Sequence, residues 1–234
     1  MKKLANIEHI FFDLDHTLWD FETNSELTLK EMFQKFELQD LLQTTFDVFL
    51  KKYKQINDKL WADYRENKVT KNELRVQRFY QTLVYFNYSS PLVAEQMADY
   101  YVNHSPYKTA LFPGAIEVLN YLNNKYHLHI ISNGFREVQY IKLKNSKIVH
   151  FFKEIVLSED VGVNKPNPEI FHYLLKRLKA KPGQTVMIGD NIEADIKGAA
   201  AVGITQILFN PKKIRHNFKP TYEISALSDL KKLL

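Results

Sequence analysis

The first apolar run of the chain, residues 7–12, is short and continuous, which is typical of a buried strand in a parallel sheet. From residue 111 onward, similar runs alternate with segments in which apolar residues recur every three or four positions. This pattern predicts strands at 128–131, 154–157, 185–188, 204–209 and 222–224, and helices at 115–123, 137–146, 169–178, 194–201 and 227–234. Because strands and helices alternate, we predict an α/β fold built on a doubly wound parallel sheet, with ligands at the carboxyl ends of the strands.

The segment between the first strand and residue 105 has a different pattern, because its apolar residues recur at helical spacing and no convincing strand interrupts them. We predict four helices here, with Leu27 on the apolar face of the first and Val84 on that of the third. Thr70, three residues before Glu73, predicts a capping box at the start of the third helix. Ser90, which precedes a proline, predicts the start of the fourth.

A chain of 234 residues is long enough for one large core and a smaller inserted domain. We predict an α/β core of residues 1–17 and 105–234, with a helical domain of residues 18–104 inserted after the first strand. No apolar run approaches the ~20 residues of a membrane span. Residues 1–6 are basic but lead directly into a strand, so we expect no membrane association and a cytoplasmic location. The expected assembly is a monomer or a homodimer.

Cysteine and charge content narrow the classes of function. Cysteine is absent, which excludes disulfides, thiol nucleophiles and thiolate metal sites. His127 and His129 alternate on one predicted strand without a third ligand nearby in the sequence, so we predict structural roles for both. The net charge of +5 comes mostly from scattered lysines, whereas a nucleic-acid-binding surface would show clustered basic residues. We therefore expect no nucleic acid polymer as partner, and a positive field that favours a small anionic substrate.

Two carboxylates, Asp13 and Asp15, follow the first strand, and Thr17 comes after them. Residues two apart in an extended chain point the same way, so these like charges would crowd one another, and burial would raise the cost. A hard cation such as Mg2+ between their oxygens would remove that cost. The residues alone leave a second interpretation open, since aspartates are also common in turns that end a strand.

Three further polar clusters fall just after a predicted strand or just before a predicted helix: Ser132 with Asn133, Lys165, and Asp190 with Asp195. In a doubly wound sheet, all of them can converge with the first carboxylates on one edge. Their chemistry is complementary, because carboxylates hold Mg2+ while a hydroxyl, backbone amides and an ammonium group hold a phosphate. Taken singly, each cluster also has a plain structural interpretation, such as a turn or a solvent-facing side chain.

Together, these residues resemble the haloacid dehalogenase-like (HAD) superfamily of hydrolases. Four segments occur in the family's order: residues 13–17, 132–134, 165–171 and 189–195. One position departs from the usual pattern, because His16 stands where many members have glycine. The resemblance covers essentially the whole chain, and it implies a Rossmann-like α/β core with a helical cap inserted between the first and second motifs.

The resemblance also implies roles for the residues of the four motifs. Asp13 would be the nucleophile, Asp15 the general acid and base, and Lys165 the group that neutralises charge on the nucleophile and the phosphoryl group. The implied phosphate-binding residues are Ser132 and Asn133. The implied cofactor is Mg2+, held by Asp13, Asp190 and the backbone carbonyl of Asp15. Asp195 would lie next to these ligands without binding the ion itself. The implied reaction is hydrolysis of a small phosphomonoester through a phosphoaspartate.

Within the predicted cap, a closer resemblance points to pyrimidine-preferring nucleoside 5′-monophosphate phosphatases. The residues that carry it are Asn57, Trp61, Tyr64 and Arg78, which would contact substrate. The same aromatic side chains could equally be packing residues of the cap, so this interpretation stays open beside the first.

Other functions on the same fold also remain open. A sugar-phosphate or phosphoglycolate phosphatase and a phosphomutase would use the same motifs. A haloacid dehalogenase needs only the first carboxylate, and Asp15 argues against it, because an acid at that place serves the leaving group of a phosphate ester. A non-catalytic binding protein is the least favoured alternative, because every acidic, hydroxyl and lysine position of the motifs is filled.

Overall fold

The structure is a computed structural model, and it describes residues 3–234. Two compact units are evident. One contains the chain up to Phe21 together with Thr109–Leu234, and the other is Glu22–Lys108. The second unit begins at residue 22 rather than the predicted 18 and ends at 108 rather than 104. Its function as a cap stays a prediction.

Six parallel strands form the sheet of the first unit: β1 (His9–Phe12), β2 (His127–Ser132), β3 (Phe152–Leu157), β4 (Thr185–Gly189), β5 (Thr205–Phe209) and β6 (Tyr222–Ile224). Their order across the sheet is β3-β2-β1-β4-β5-β6. The chain therefore moves outward from β1 to β3, then returns to the other side of β1 and continues to β6. The carboxyl ends of β1 and β4 flank the point where this direction reverses, which is where ligands bind in such sheets. The predicted fold class is confirmed.

Alternate residues of the strands enter two separate hydrophobic clusters. Ile10 and Phe12 of β1 belong to one cluster, while Phe11 belongs to the other with Ile131 and Met187 of the neighbouring strands. Successive side chains of a strand point to opposite faces, so the sheet is covered on both sides. This double burial explains why its strands are continuous apolar runs in the sequence.

Five helices occupy the second unit: α1 (Phe21–Lys35), α2 (Leu38–Leu42), α3 (Phe46–Arg65), α4 (Lys71–Tyr85) and α5 (Pro91–His104). The predicted capping box is confirmed, because the Glu73 amide donates to Thr70 Oγ1 at 3.2 Å and the Thr70 amide donates to the Glu73 carboxylate at 2.7 Å. Ser90 caps α5 by accepting from the Val93 amide. No helix within residues 3–234 has both the length and the apolar character of a membrane span.

Three details of the helical pattern were predicted wrongly. The short helix α2 was not among the four predicted helices, and two residues that were placed on apolar faces are exposed. Leu27 and Val84 are 48% and 44% exposed. The buried side of α1 includes Thr28 and Leu29, and Leu27 lies outside it. The hydroxyl of Thr28 is accommodated inside because it donates to the Asn24 carbonyl at 3.0 Å. A polar residue with a local hydrogen bond thus takes a position that hydrophobicity alone would give to leucine.

The first unit contains α6 (Ala115–Asn123), α7 (Arg136–Asn145), α8 (Ser158–Val161), α9 (Pro168–Leu178), α10 (Gly198–Ala201) and α11 (Leu230–Leu233). The helix predicted at 194–201 is instead a π-helix, Ile192–Lys197, followed by α10. Its start is fixed by the Asn191 side chain, which accepts from the Ala194 amide at 2.9 Å. The predicted terminal helix is a 3-10 turn, Leu227–Asp229, followed by α11.

Candidate active site

The candidate site lies at the carboxyl ends of β1 and β4. Asp13 directly follows β1, and its amide donates to the Ile188 carbonyl of β4 at 2.9 Å. Asp190 directly follows β4, and the Thr17 hydroxyl donates to its Oδ1 at 3.4 Å. The parallel pairing of the two strands therefore brings together carboxylates that are far apart in the sequence.

Lys165 joins the third and fourth motifs to the first. Its side chain is 2% exposed, and Nζ donates to Asp13 Oδ1 at 2.6 Å, to Asp195 Oδ1 at 2.6 Å and to the Ile131 carbonyl at 2.8 Å. All three protons of the ammonium group are thus used. A buried charge is tolerated only when it is paired and hydrogen-bonded, and this geometry meets that condition.

The Asn133 side chain fixes the backbone of Lys165. Asn133 Oδ1 accepts from the Lys165 amide at 2.8 Å, and Nδ2 donates to the Lys165 carbonyl at 2.9 Å. This reciprocal pair connects the second motif to the third. The side chain of Asn133 is therefore engaged with protein, which leaves its backbone amide for the phosphate contact; that contact stays a prediction.

Asp195 is held by nitrogen donors at both carboxylate oxygens. Oδ1 accepts from Lys165, and Oδ2 accepts from the Asn191 amide at 3.0 Å. The carboxylate lies so close to Gly189 that a Cβ atom at that position would overlap it. Asp13 and Asp190 are consequently the carboxylates of this cluster that are better placed to offer oxygens to a metal ion.

Burial perturbs the ionisation of all three groups at the centre of the site. It raises the pKa of the Asp13 carboxyl to about 7, although the Lys165 ammonium opposes the rise. Burial also raises the pKa of Asp190 well above its ordinary value, and the Asp195 and Asp13 carboxylates add to the effect. Burial alone would lower the pKa of Lys165, but those two carboxylates raise it above its ordinary value. Lys165 therefore stays charged, yet one ammonium group does not offset the whole cluster.

The donor set fits a divalent cation. One oxygen from each of Asp13, Asp190 and Asp195 lies within 4.8 Å of the other two. When all four site carboxylates (these three and Asp15) are ionised, they carry two more charges than the ammonium groups of Lys142 and Lys165 can offset, and a divalent cation would balance that excess. Hard oxygen ligands without histidine in the described cluster favour Mg2+ over zinc.

Ser132 is arranged as a hydrogen-bond donor. Its Oγ accepts from the Gly134 amide at 3.1 Å and from Gln139 Nε2 at 2.7 Å. A hydroxyl that already accepts two hydrogen bonds has its own proton left to donate. This is the polarity required to bind a phosphate oxygen, so the geometry suits the predicted role.

Sequence reasoning missed two residues of the site, Gln139 and Lys142. Lys142 Nζ donates to Asp15 Oδ1 at 2.6 Å, and Gln139 Nε2 donates to Asp15 Oδ2 at 2.8 Å. Both lie on α7, three residues apart and therefore on the same face of the helix. That spacing, directly after the second motif, was the available signal.

His16 adopts a left-handed backbone conformation, with φ of 61°. This region favours glycine, which agrees with the glycine that many HAD members have at the equivalent place. The His16 ring lies 4.6 Å from that of Phe21, centroid to centroid.

The predicted substrate residues of the helical unit form two pairs. Arg78 and Asn57 are both buried, and Arg78 Nη1 donates to Asn57 Oδ1 at 3.5 Å. The Arg78 guanidinium also lies 4.6 Å from the centroid of the Tyr101 ring. Trp61 and Tyr64 are half-buried and contact each other edge to face, with ring centroids 5.7 Å apart. Their role toward substrate stays a prediction.

A doubly wound sheet with an aspartate, lysine and hydroxyl cluster at its switch point defines an α/β enzyme with a hydrolase-like site. Residues 10–209 match the model of the haloacid dehalogenase-like hydrolase family. The chain therefore belongs to the haloacid dehalogenase-like hydrolases, and the predicted family and the prediction of an enzyme are confirmed.

Three relatives align over nearly the whole chain. The HAD-hydrolase YfnB of Bacillus subtilis is 32% identical, over 96% of this chain and 94% of that protein. The pyrimidine 5′-nucleotidase YjjG of Escherichia coli is 30% identical, over 96% of both chains. The glyceraldehyde 3-phosphate phosphatase of Methanothermobacter thermautotrophicus is also 30% identical, over 97% of this chain and 98% of that protein. A crystal structure of YfnB bound to magnesium matches with a TM-score of 0.89 and 30% identity, over 99% of this chain and 98% of that chain.

Proposed function

We propose that this protein is a Mg2+-dependent phosphatase that hydrolyses small phosphomonoesters through a phosphoaspartate on Asp13. The observation that carries the proposal is the contact between the buried Lys165 ammonium and both Asp13 and Asp195, at the switch point of the sheet. This contact supports Asp13 as the nucleophile, because the adjacent positive charge can stabilise the phosphoryl group. The relatives named as 5′-nucleotidases and phosphatases support this enzyme class, a phosphoric monoester hydrolase.

In the first step, an Asp13 oxygen attacks phosphorus and the bond from phosphorus to the leaving oxygen breaks. Asp15 supplies the proton that the leaving oxygen requires. The Ser132 hydroxyl, the Asn133 amide and Lys165 hold the phosphoryl oxygens. In the second step, Asp15 takes a proton from water, and that water attacks phosphorus to release phosphate and regenerate Asp13.

Asp13, Asp190 and the backbone carbonyl of Asp15 would hold Mg2+. When bound, the ion supplies Lewis-acid stabilisation of the phosphoryl charge. The excess of two negative charges that the fully ionised site would carry supports this assignment, as does the magnesium in the YfnB structure. The expected location remains the cytoplasm, and the expected assembly a monomer or homodimer.

For the substrate, we propose nucleoside 5′-monophosphates, with pyrimidines preferred. The names of YjjG and of PynA from Streptococcus pneumoniae, which is 28% identical over 94% of this chain, support this choice. The half-buried rings of Trp61 and Tyr64 are suited to stacking on a base, whereas a triose phosphate offers no ring face. A glyceraldehyde 3-phosphate phosphatase is the second candidate, because relatives with that name align at similar identity.

A panel of phosphomonoesters tests the proposal, with phosphate release measured as kcat/KM in Mg2+. The panel includes pyrimidine and purine 5′-monophosphates, glyceraldehyde 3-phosphate, phosphoglycolate and a hexose phosphate. Pyrimidine nucleotides should give the highest values, and Asp13→Asn should be inactive on all of them. Isomerised sugar phosphate without phosphate release would indicate a phosphomutase. A tenfold preference for any sugar phosphate or phosphoglycolate would contradict the nucleotidase proposal and leave the phosphatase class intact.

Trp61→Ala separates substrate recognition from catalysis. Stacking on a base is worth ~1–3 kcal/mol, so kcat/KM for pyrimidine nucleotides should fall by roughly 5- to 150-fold. The value for glyceraldehyde 3-phosphate should stay unchanged. Tyr85→Ala, which removes a 56% exposed aromatic ring from the same unit, serves as the control. Equal losses on both substrates would show that Trp61 only packs the helices.

A further inference from the structure

Helix α7 carries two buried polar side chains that face Asp15. Gln139 is 0% exposed and Lys142 is 4% exposed. Burying an amide or an ammonium group costs free energy unless each is hydrogen-bonded. Both side chains find that partner in one carboxylate, so their burial is coupled to the position of Asp15.

The Asp15 carboxylate is held at both of its oxygens. Lys142 donates to Oδ1 at 2.6 Å, and Gln139 donates to Oδ2 at 2.8 Å. One donor would leave the carboxylate free to rotate about its own axis, whereas two donors fix its plane. We propose that Gln139 and Lys142 are positioning residues that orient Asp15 for proton transfer, an inference that rests on the proposed phosphatase function.

The position of Lys142 is itself fixed by aromatic packing. Its Nζ lies 4.2 Å from the centroid of the Trp19 ring and 5.6 Å from that of Phe21. Trp19 is fully buried, and its amide donates to the Leu14 carbonyl at 2.9 Å. The ring that supports the ammonium group therefore belongs to the same turn as Asp15. A cation held over an aromatic face gains additional stabilisation.

Gln139 connects the proton-transfer group to the phosphate site. Its two Nε2 protons go to Asp15 Oδ2 and to Ser132 Oγ. Its Oε1 is buried and accepts no hydrogen bond within residues 3–234, so the two donated bonds alone orient the amide. A Cβ atom at Gly134 would overlap this amide, which explains the glycine of the second motif. One side chain thus holds the Asp15 carboxylate and the Ser132 hydroxyl in a fixed position relative to each other.

Leaving-group dependence provides the test. In the first step, the bond from phosphorus to the leaving oxygen breaks and the Asp15 proton goes to that oxygen, so an alkoxide leaving group needs the proton far more than nitrophenolate does. A misplacement of about 1 Å can cost ~10²-fold in rate. Lys142→Met should therefore lower kcat/KM by about that factor for a nucleoside 5′-monophosphate, and much less for p-nitrophenyl phosphate.

Matched variants complete the experiment. Lys142→Arg, which keeps a cation, should recover part of the activity on the nucleotide. Lys144→Met, which changes an exposed lysine of the same helix, should leave kcat/KM unchanged for both esters. Gln139→Asn shortens the side chain by one methylene and so withdraws the amide from Asp15. It should lower kcat/KM for the nucleotide more than for p-nitrophenyl phosphate, as Lys142→Met does, and it provides the test if Lys142→Met does not fold.

Two results would overturn the inference. Equal losses of kcat/KM on both esters would mean that the two α7 side chains only stabilise the fold. Unchanged kcat/KM on both esters would mean that Asp15 does not need them for its orientation. Wild-type protein that releases phosphate from neither ester would instead refute the proposed function, and the inference with it.

Discussion

Asp13 and Asp15 stand two residues apart, yet the structure gives them separate partners. Asp13 contacts Lys165, whereas Asp15 contacts Gln139 and Lys142. The crowding of like charges expected from the sequence is thus relieved in part by two different ammonium groups. Separate surroundings suit separate tasks, one carboxylate for attack on phosphorus and one for proton transfer.

The convergence of the motif residues could be predicted from the sequence, but their supporting contacts could not. Asp13, Lys165 and Asp195 were predicted to belong to one cluster, and the structure brings them together. Lys142 was not predicted, because a lysine on a helix is by default solvent-facing. The reciprocal pair between Asn133 and the Lys165 backbone depends on a loop geometry that no local pattern encodes.

Chelation of divalent metal should abolish phosphatase activity, and added Mg2+ should restore it, because the site carboxylates in their ionised form would carry two negative charges that only a bound cation balances. Asp190→Asn should raise the Mg2+ concentration needed for half-maximal activity by more than about tenfold. A titration of activity against Mg2+ measures this. Glu193→Gln, an exposed carboxylate nearby in the sequence, is the control. Full activity after thorough chelation would contradict the metal assignment.

A histidine cluster lies at the other end of the sheet, where sequence reasoning found only His127 and His129. His9 of β1 is the third member, and its Nδ1 lies 3.2 Å from His129 Nε2. Burial, followed by the charges of His9 and His127, lowers the pKa of His129 from 6.5 to about 3. Burial also lowers the pKa of His9.

This cluster should make the fold sensitive to acid. Because the folded-state pKa of His129 lies below 6.5, its contribution to stability is complete above that pH and is lost as the pH falls toward 3. At about 1.4 kcal/mol per pH unit, the loss is on the order of a few kcal/mol near pH 4. His129→Gln should flatten the dependence of the unfolding free energy on pH, measured by denaturant titration. His150→Gln, which changes an exposed histidine, is the control and should leave this pH dependence unchanged. If the unfolding free energies of wild type and His129→Gln vary with pH in parallel, the account is contradicted.

At the scale of elements, strands and regular α-helices could be predicted and the π-helix could not. The strand at Tyr222–Ile224 and the helix at Ala115–Asn123 have the predicted bounds, because short apolar runs and helical periodicity are local signals. The π-helix at Ile192–Lys197 has no such signal. It forms where Asn191 and Asp195 make hydrogen bonds with neighbouring backbone amides, and π-bulges are frequent at functional sites.

The capping box of α4 gives a prediction about stability. Thr70→Ala removes the acceptor for the Glu73 amide and should lower the unfolding free energy by about 1 kcal/mol. Glu73→Ala should cost less when Thr70 is already alanine, since the two bonds are reciprocal. Denaturant unfolding of both single variants and the double variant measures this coupling. Strict additivity would show that the two side chains act independently.

At the scale of the whole molecule, the change from strand-and-helix alternation to helical periodicity predicted an inserted unit. The structure shows a unit of that kind at Glu22–Lys108. The exact bounds differ because the linking residues on both sides, such as Asp20 and Ala110, are paired by a backbone hydrogen bond within the first unit. The substrate could not be derived in this way, since the same core motifs can bind the phosphate group of many different phosphomonoesters.

The central claim is that Asp13 becomes phosphorylated during turnover, and chemical trapping tests it directly. The protein is mixed with p-nitrophenyl phosphate and Mg2+, quenched in acid within the first turnovers, and reduced with borohydride, which converts an aspartyl phosphate to homoserine. We predict homoserine at position 13 by peptide mass spectrometry, a larger yield in Asp15→Asn because breakdown is slowed, and none in Asp13→Asn. Steady phosphate release by wild type with unmodified Asp13 in both wild type and Asp15→Asn would contradict the account.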